Sequence, residues 1–134
     1  MNVLVDTSVW SLSLRRTAAK GGAETTELVE LIREGRVAMI GAIRQEVLSG
    51  IRAGDQYKRL RDRLRAFDDV SLDEADYEEA AVCFNRCRSK GLQGSNTDFL
   101  ICAVSLRRKM AIFTTDRDFA GFARVLALDL HEPR

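Results

Sequence analysis

Three short apolar runs, each followed by a segment with helical spacing, constrain this chain more than any other feature. "NVLV" at 2–5, "RVAMIG" at 36–41 and "MAIFTT" at 110–115 are too short for helices and apolar on both alternating faces. Such runs read as strands buried from two sides, which is the habit of parallel sheets. Between them the spacing turns helical. Leu28, Leu31 and Ile32 share one face of a helix that Gly35 ends. Tyr57, Leu60, Leu64 and Phe67 line another. Residues 7–15, "AIRQEVLSGI", residues 73–89 and "TDFLICAVSLRRK" also read as helices, and "DRDFAGF" as a turn or short helix. "DDVSL" is a connection or brief strand, and "RVLALDL" reads as a last strand. Strands alternating with helices predict an α/β sandwich on a mostly parallel sheet, in one domain spanning 1–134.

Composition fits that expectation. Hydrophobic residues make up 46% and charged residues 31%, the balance of a globular domain. No apolar run approaches the roughly 18 residues of a membrane span, and the N-terminus lacks the pattern of a signal peptide, so the cytoplasm is the expected compartment. Cys83, Cys87 and Cys102 are an odd set with no histidine near them, and read as reduced core thiols. The net charge of +1 says little. The basic residues are mostly Arg, clustered at Arg15-Arg16, in "YKRLRDRLR" at 57–65, in "RCRSK" and in "RRK". Each cluster alone reads as a solvated helix face. Together they favour an anionic partner modestly, because guanidinium matches phosphate geometry.

The acids carry more information. In parallel α/β sheets, function gathers at the carboxyl ends of the strands. Asp6 directly follows the first strand, and Asp116 follows "AIFTT". Glu46 lies on the helix after "VAMI", and Asp98 lies in the first turn of the helix after "GLQGSN". Helices that follow strands begin at that same edge, so four acids from four distant segments are expected in one cleft. Each also has an ordinary explanation. Asp6 or Thr7 fits a helix N-cap, Ser95 to Asp98 and Thr115 to Asp118 fit capping boxes, and Glu46 fits a solvated face. Converging carboxylates, however, raise one another's pKa or call for a cation. A hard divalent ion such as Mg²⁺ or Mn²⁺ prefers such oxygen ligands. Competing chemistry is poorly provided for. His131 is the one histidine, and the chain has neither GxxxxGK[ST] nor GxGxxG.

"NVLVDTSVW", "AIRQEVLSG", "KGLQGSNTDFLICAVSL" and "IFTTDRDF", in that order, resemble the successive signatures of PIN-domain proteins. Within that group the sequence is similar to the VapC-type toxins of toxin–antitoxin pairs, over residues 2 to about 128. The resemblance implies a three-layer α/β/α sandwich and a Mg²⁺- or Mn²⁺-dependent endoribonuclease. It places the acidic metal and catalytic set at Asp6, Glu46, Asp98 and Asp116. It puts supporting hydroxyls at Ser8 and Thr114, a further acid at Asp118, and a supporting amide at Asn96. The implied chemistry is metal-assisted hydrolysis of RNA phosphodiester bonds, with Glu46 orienting or deprotonating the attacking water. Arg15, Arg16, Arg59 and Arg63 are the first candidates for holding the RNA backbone. The resemblance also implies an RNA substrate, a cognate antitoxin that covers the active site, often with a basic residue near the acids, and a homodimer.

Other readings leave different traces. A dehalogenase-type phosphotransfer domain needs a second acid two residues after the first, where this chain has Ser8. A receiver domain needs an acid after a middle strand and a Lys after a later one, and "VAMIGAIRQE" and "AIFTTDRDF" lack them. A PIN-fold RNA-processing nuclease without an antitoxin, or a non-catalytic nucleic-acid or protein-binding module on the same fold, stays open at the level of sequence.

Overall fold

The computed structural model describes residues 1–14 and 22–134. Arg15 and Arg16 lie outside the described residues. Three strands, β1 (Val3–Val5), β2 (Val37–Ala38) and β3 (Ala111–Phe113), form one parallel sheet in the order β2-β1-β3. Its register pairs Leu4 with Ala38 on one side and with Ile112 on the other. Val3, Leu4 and Val5 are all buried, as expected for the central strand of a sheet covered on both faces.

Seven helices among the described residues complete the α/β fold: α1 (Thr7–Leu14), α2 (Ala23–Arg33), α3 (Gly41–Leu48), α4 (Gly54–Leu64), α5 (Glu74–Ser89), α6 (Asn96–Arg108) and α7 (Asp118–Leu126). α1 packs on α2 and α3, and α3 on α4. A second group forms where α5 packs on α6 and α7, with α6 also against β3. From Phe99 to Ser105 every residue of α6 is buried, so the Phe99–Val104 stretch is apolar on every side because it is covered on every side. Phe99 meets Phe84 and Phe122 there, with ring centroids 5.4 and 4.9 Å apart. Gly94, just before α6, fits the same cluster. A Cβ on it would come within 2.8 Å of the Phe122 ring and 3.1 Å of Phe99.

The last predicted strand is corrected. Residues 124–126 end α7 instead, and Ala127 caps that helix at φ 58°. Phe119, Phe122 and Leu126 repeat at 3 and 4 residues and are buried, so helical burial extends the segment past "DRDFAGF". Only Leu130 of that stretch bridges to the sheet, at Ile112. "DDVSL" contributes one bridge, from Asp69 to Met39.

The three cysteines are free and buried, as expected of core thiols. Burial, with a smaller push from Glu79, raises the Cys83 thiol to about 11, and burial raises Cys87 and Cys102 as well. The "RRK" cluster is only partly a solvated face. Arg107 and Arg108 each place a guanidinium nitrogen 2.6 Å from the buried carboxylate of Asp76, and so fasten the end of α6 to the start of α5. A second internal lock joins the C-terminal residues to α2. Buried Glu27 meets His131 Nε2 at 2.6 Å and Arg134 Nε at 3.0 Å, and Arg134 also grips Glu34.

Candidate active site

β1 ends and α1 begins at Asp6. Its backbone carbonyl accepts the first helical N–H bonds, from Val9 and Trp10. The side chain does something else. Asp6 Oδ2 accepts a hydrogen bond from Ser8 Oγ at 2.7 Å and another from Thr114 Oγ1 at 2.8 Å. Those hydroxyls in turn accept from the backbone just beyond β3. Thr115 N donates to Ser8 Oγ, and Asp116 N donates to Thr114 Oγ1, both at 3.0 Å. The carboxyl ends of β1 and β3 are thereby tied around one buried carboxylate.

The other acids are each held by a single oxygen. Asp98 sits three residues into α6 and shares a capping box with Ser95. Ser95 N donates to Asp98 Oδ2 and Asp98 N donates to Ser95 Oγ, both at 3.0 Å. Asp116 Oδ1 accepts from Asp118 N at 2.9 Å. The capping box expected at Thr115 to Asp118 is therefore corrected to a tighter turn, in which a carboxylate bonds the backbone two residues on. Glu46, exposed on α3, accepts from Thr7 Oγ1 at 2.6 Å through Oε1. Among the described residues, the second oxygen of all four acids has no protein donor, and none of the four forms an ion pair.

Asp6, Glu46, Asp98 and Asp116 line one open cleft of about 520 Å³, together with Thr7, Ser8, Gln45, Ser49 and Thr97. The electrostatics follow from that crowding. Burial raises the Asp98 carboxyl above its ordinary value of 3.8, and the nearby charges of Asp6 and Asp116 push the same way against the Ser95 hydrogen bonds.

The donors are hard oxygens, of the kind Mg²⁺ and Mn²⁺ take. Among the described residues no three His, Cys, Asp or Glu side chains come close enough to ligate an ion by themselves. The set thus fits an ion gripped by one or two carboxylates, with its remaining positions open to water and substrate oxygens, the usual habit of Mg²⁺.

Two residues named in support of this site do not line the cleft themselves. Asn96 does not line the cleft. It faces a hollow between α5 and α6 beside Tyr77 and Phe84, because a residue two positions before Asp98 points well round the helix from it. Asp118 supports Asp116 through its backbone, while its side chain lines a separate hollow with Arg117 and Arg124. Arg59 and Arg63 stand on α4 beside another hollow, with Leu14 and Ile51. Arg59 pairs with Asp55 at 3.5 Å. Thr7 enters as more than a helix start.

Over residues 3–125 the sequence matches the model of the PIN domain. The chain belongs to the PIN-domain family. No curated protein matches its sequence. Among solved structures this PIN domain is similar to FitAcB from Neisseria gonorrhoeae, with 20% identity, a TM-score of 0.77, and coverage of 98% of this chain and 97% of that one. VapBC2 from Rickettsia felis, bound to a DNA fragment from their promoter, gives 16% identity, a TM-score of 0.78 and 98% coverage of both chains. A toxin–antitoxin complex from Klebsiella pneumoniae gives 21% identity, a TM-score of 0.61, and coverage of 90% and 92%. At these identities the likeness is one of fold. The PIN domain therefore joins the predicted α/β architecture to a cleft whose acids come from four separate segments of the chain.

Proposed function

We propose that this PIN domain is a Mg²⁺- or Mn²⁺-dependent endoribonuclease, and the toxin half of a toxin–antitoxin pair restrained by a cognate antitoxin. The observation that carries the reading is the set of four carboxylates lining one cleft without a basic partner among the described residues. The buried acids outside the cleft, Glu27 and Asp76, are by contrast answered by Arg or His, as is Asp69. Acids left unanswered at a strand-end cleft suit a divalent cation.

One or two of Asp6, Asp98 and Asp116 would hold the ion directly and the rest through water, with Glu46 completing the acidic wall. When bound, the ion supplies Lewis-acid stabilisation of charge building on the phosphodiester and acidifies water. The chain's residues do the rest. Ser8 and Thr114 fix the Asp6 carboxylate, the α6 capping box fixes Asp98, and Glu46 orients or deprotonates the attacking water. The Klebsiella complex supports an antitoxin partner by fold, and an unpaired acidic cleft suits a guanidinium from that partner. The reading expects a homodimer in the cytoplasm. No helix among the described residues is long and apolar enough to cross a membrane.

The test is cleavage of RNA by the purified chain with Mn²⁺. Asp6→Asn and Asp98→Asn should each slow it by about a hundredfold or more, the scale of losing a group that acts mainly in the transition state. Cleavage that continues undiminished in both variants would sink the metal-site reading. Saturating Mn²⁺ should also stabilise the wild type against unfolding, by about 2.7 kcal/mol at a hundredfold excess over Kd, and should not stabilise Asp6→Asn. The toxin role is read separately. A small neighbouring gene product that co-purifies with the chain and stops cleavage supports it, and a nuclease with no such inhibitor overturns it.

A further inference from the structure

Glu46 differs from the other acids of the cleft in how it is held. Asp6 is buried and receives two hydroxyl hydrogens. Asp98 and Asp116 are short side chains pinned by backbone N–H groups of their own segments. Glu46 is exposed on α3, and its longer side chain has more torsions whose freedom opposes any fixed orientation. Among the described residues its one side-chain partner is Thr7, 39 residues earlier, at 2.6 Å.

Thr7 is suited to the task. It is β-branched and stiff at χ1. It is the first residue of α1, with Asp6 alone between it and β1, so its hydroxyl has no preceding helical turn whose carbonyls compete for the proton. α1 and α3 already pack on one another, and Val9, Ile43 and Val47 are buried in one core, so this exposed bond is not needed to join them. Its distinct effect is to occupy Glu46 Oε1 and leave Oε2 as the oxygen without a protein donor.

We infer that Thr7 is a positioning residue of the nuclease site, which sets the orientation of Glu46 in the cleft it shares with Asp6 and Asp98. The inference rests on the metal-dependent reading proposed above.

The test is a double-mutant cycle on Mn²⁺ affinity, read by titration calorimetry with Mn²⁺ alone, so that no RNA is needed. Thr7→Val keeps the shape and removes the hydroxyl. It should weaken Mn²⁺ binding about tenfold, the scale of one hydrogen bond to a charged group, with its unfolding midpoint near that of the wild type. Thr7→Ser should restore the affinity. In a Glu46→Ala background, Thr7→Val should change nothing further. On a short RNA, Thr7→Val should lower kcat and leave KM near its wild-type value. Equal losses from Thr7→Val with and without Glu46, a wild-type affinity for Thr7→Val, or a Thr7→Ser variant as weak as Thr7→Val would overturn the positioning role. If Asp6→Asn loses Mn²⁺ in the same experiments, the metal reading stands while this inference falls. If the wild type binds Mn²⁺ no better than Asp6→Asn, both fall.

Discussion

Two buried carboxylates, Asp6 and Asp76, are answered in opposite ways. Asp76 has no exposed surface and is met by Arg107 and Arg108 at 2.6 Å each, with the Asp73 backbone N–H as a further donor. Burial alone would push its carboxyl up. The Asp73 backbone bond and the two guanidinium groups outweigh burial and hold it below its ordinary 3.8. Glu27 repeats the arrangement against His131 and Arg134, and is likewise lowered from 4.5 despite burial. Asp6 is 5% exposed and is met by two hydroxyls, while its neighbour Asp98 is pushed up by burial and by the charges of Asp6 and Asp116. The same residue type thus fastens helices at the α5–α6 joint and leaves charge unbalanced in the cleft. Uncompensated charge works against folding, and its concentration at one strand-end edge is what the proposed metal-dependent reading would explain.

The comparison breaks most sharply at the joint. Asp76→Ala strands Arg107 and Arg108 and removes half of the α5 capping box. Breaking a buried pair costs about 3–5 kcal/mol. Arg107 and Arg108 keep 36% and 29% exposure and can turn to water, which sets the expectation at the low end. Urea unfolding should therefore show a loss of about 3 kcal/mol, and a loss below about 1 kcal/mol would mean that the joint is not where the acid matters.

The cleft should respond with the opposite sign. Asp98→Asn removes one of the repelling charges and keeps an oxygen to accept from Ser95 N. At neutral pH it should raise stability by about 1 kcal/mol, while cleavage is lost. The pH dependence separates the two regions further. Asp76 has a depressed folded pKa, so its contribution is fully present above the ordinary 3.8 and is lost as pH falls through the folded value. Asp98 has a raised folded pKa, so its penalty is full above that raised value and fades as pH falls toward 3.8. The advantage of Asp98→Asn over the wild type should therefore shrink on acidification, as read from urea midpoints across a pH series. An advantage that grows on acidification would reverse the assignment.

What the sequence made legible follows the same division. β1, β2 and β3 were visible because buried strands are written as continuous apolar runs, and the cleft acids because they end those runs or open the helices after them. For Asp98 the cap does not exclude a place in the cleft, since one carboxylate oxygen caps α6 and the residue also lines the cleft. The partners of charge were not visible. Arg107 and Arg108 look like any basic helix end until Asp76 is brought to them from another helix. The bond from Thr7 to Glu46 has no periodicity, because it joins elements 39 residues apart. Asn96 does not line the cleft with Asp98, because nearness in sequence is not nearness in direction on a helix. The strand expected at "RVLALDL" gave way to α7, because its apolar residues continue the spacing of Phe119 and Phe122.

The smallest effect is expected on α4, where the comparison with the joint is sharpest in kind. Arg59 and Asp55 form an ion pair at 3.5 Å with side chains 65% and 75% exposed, four residues apart on one helix. Unlike the Asp76 joint, neither group has been taken out of water, so the attraction is screened and losing it strands nothing. Arg59→Ala should therefore shift stability by less than about 0.5 kcal/mol in urea unfolding. That near-neutral background makes the variant a clean probe of the RNA contact expected of this helix. A weaker RNA affinity in Arg59→Ala, with a shallower dependence on salt, would place α4 on the RNA path. Unchanged affinity and salt dependence would leave its arginines as a solvated face, and the search for the RNA-binding surface would move to other basic clusters.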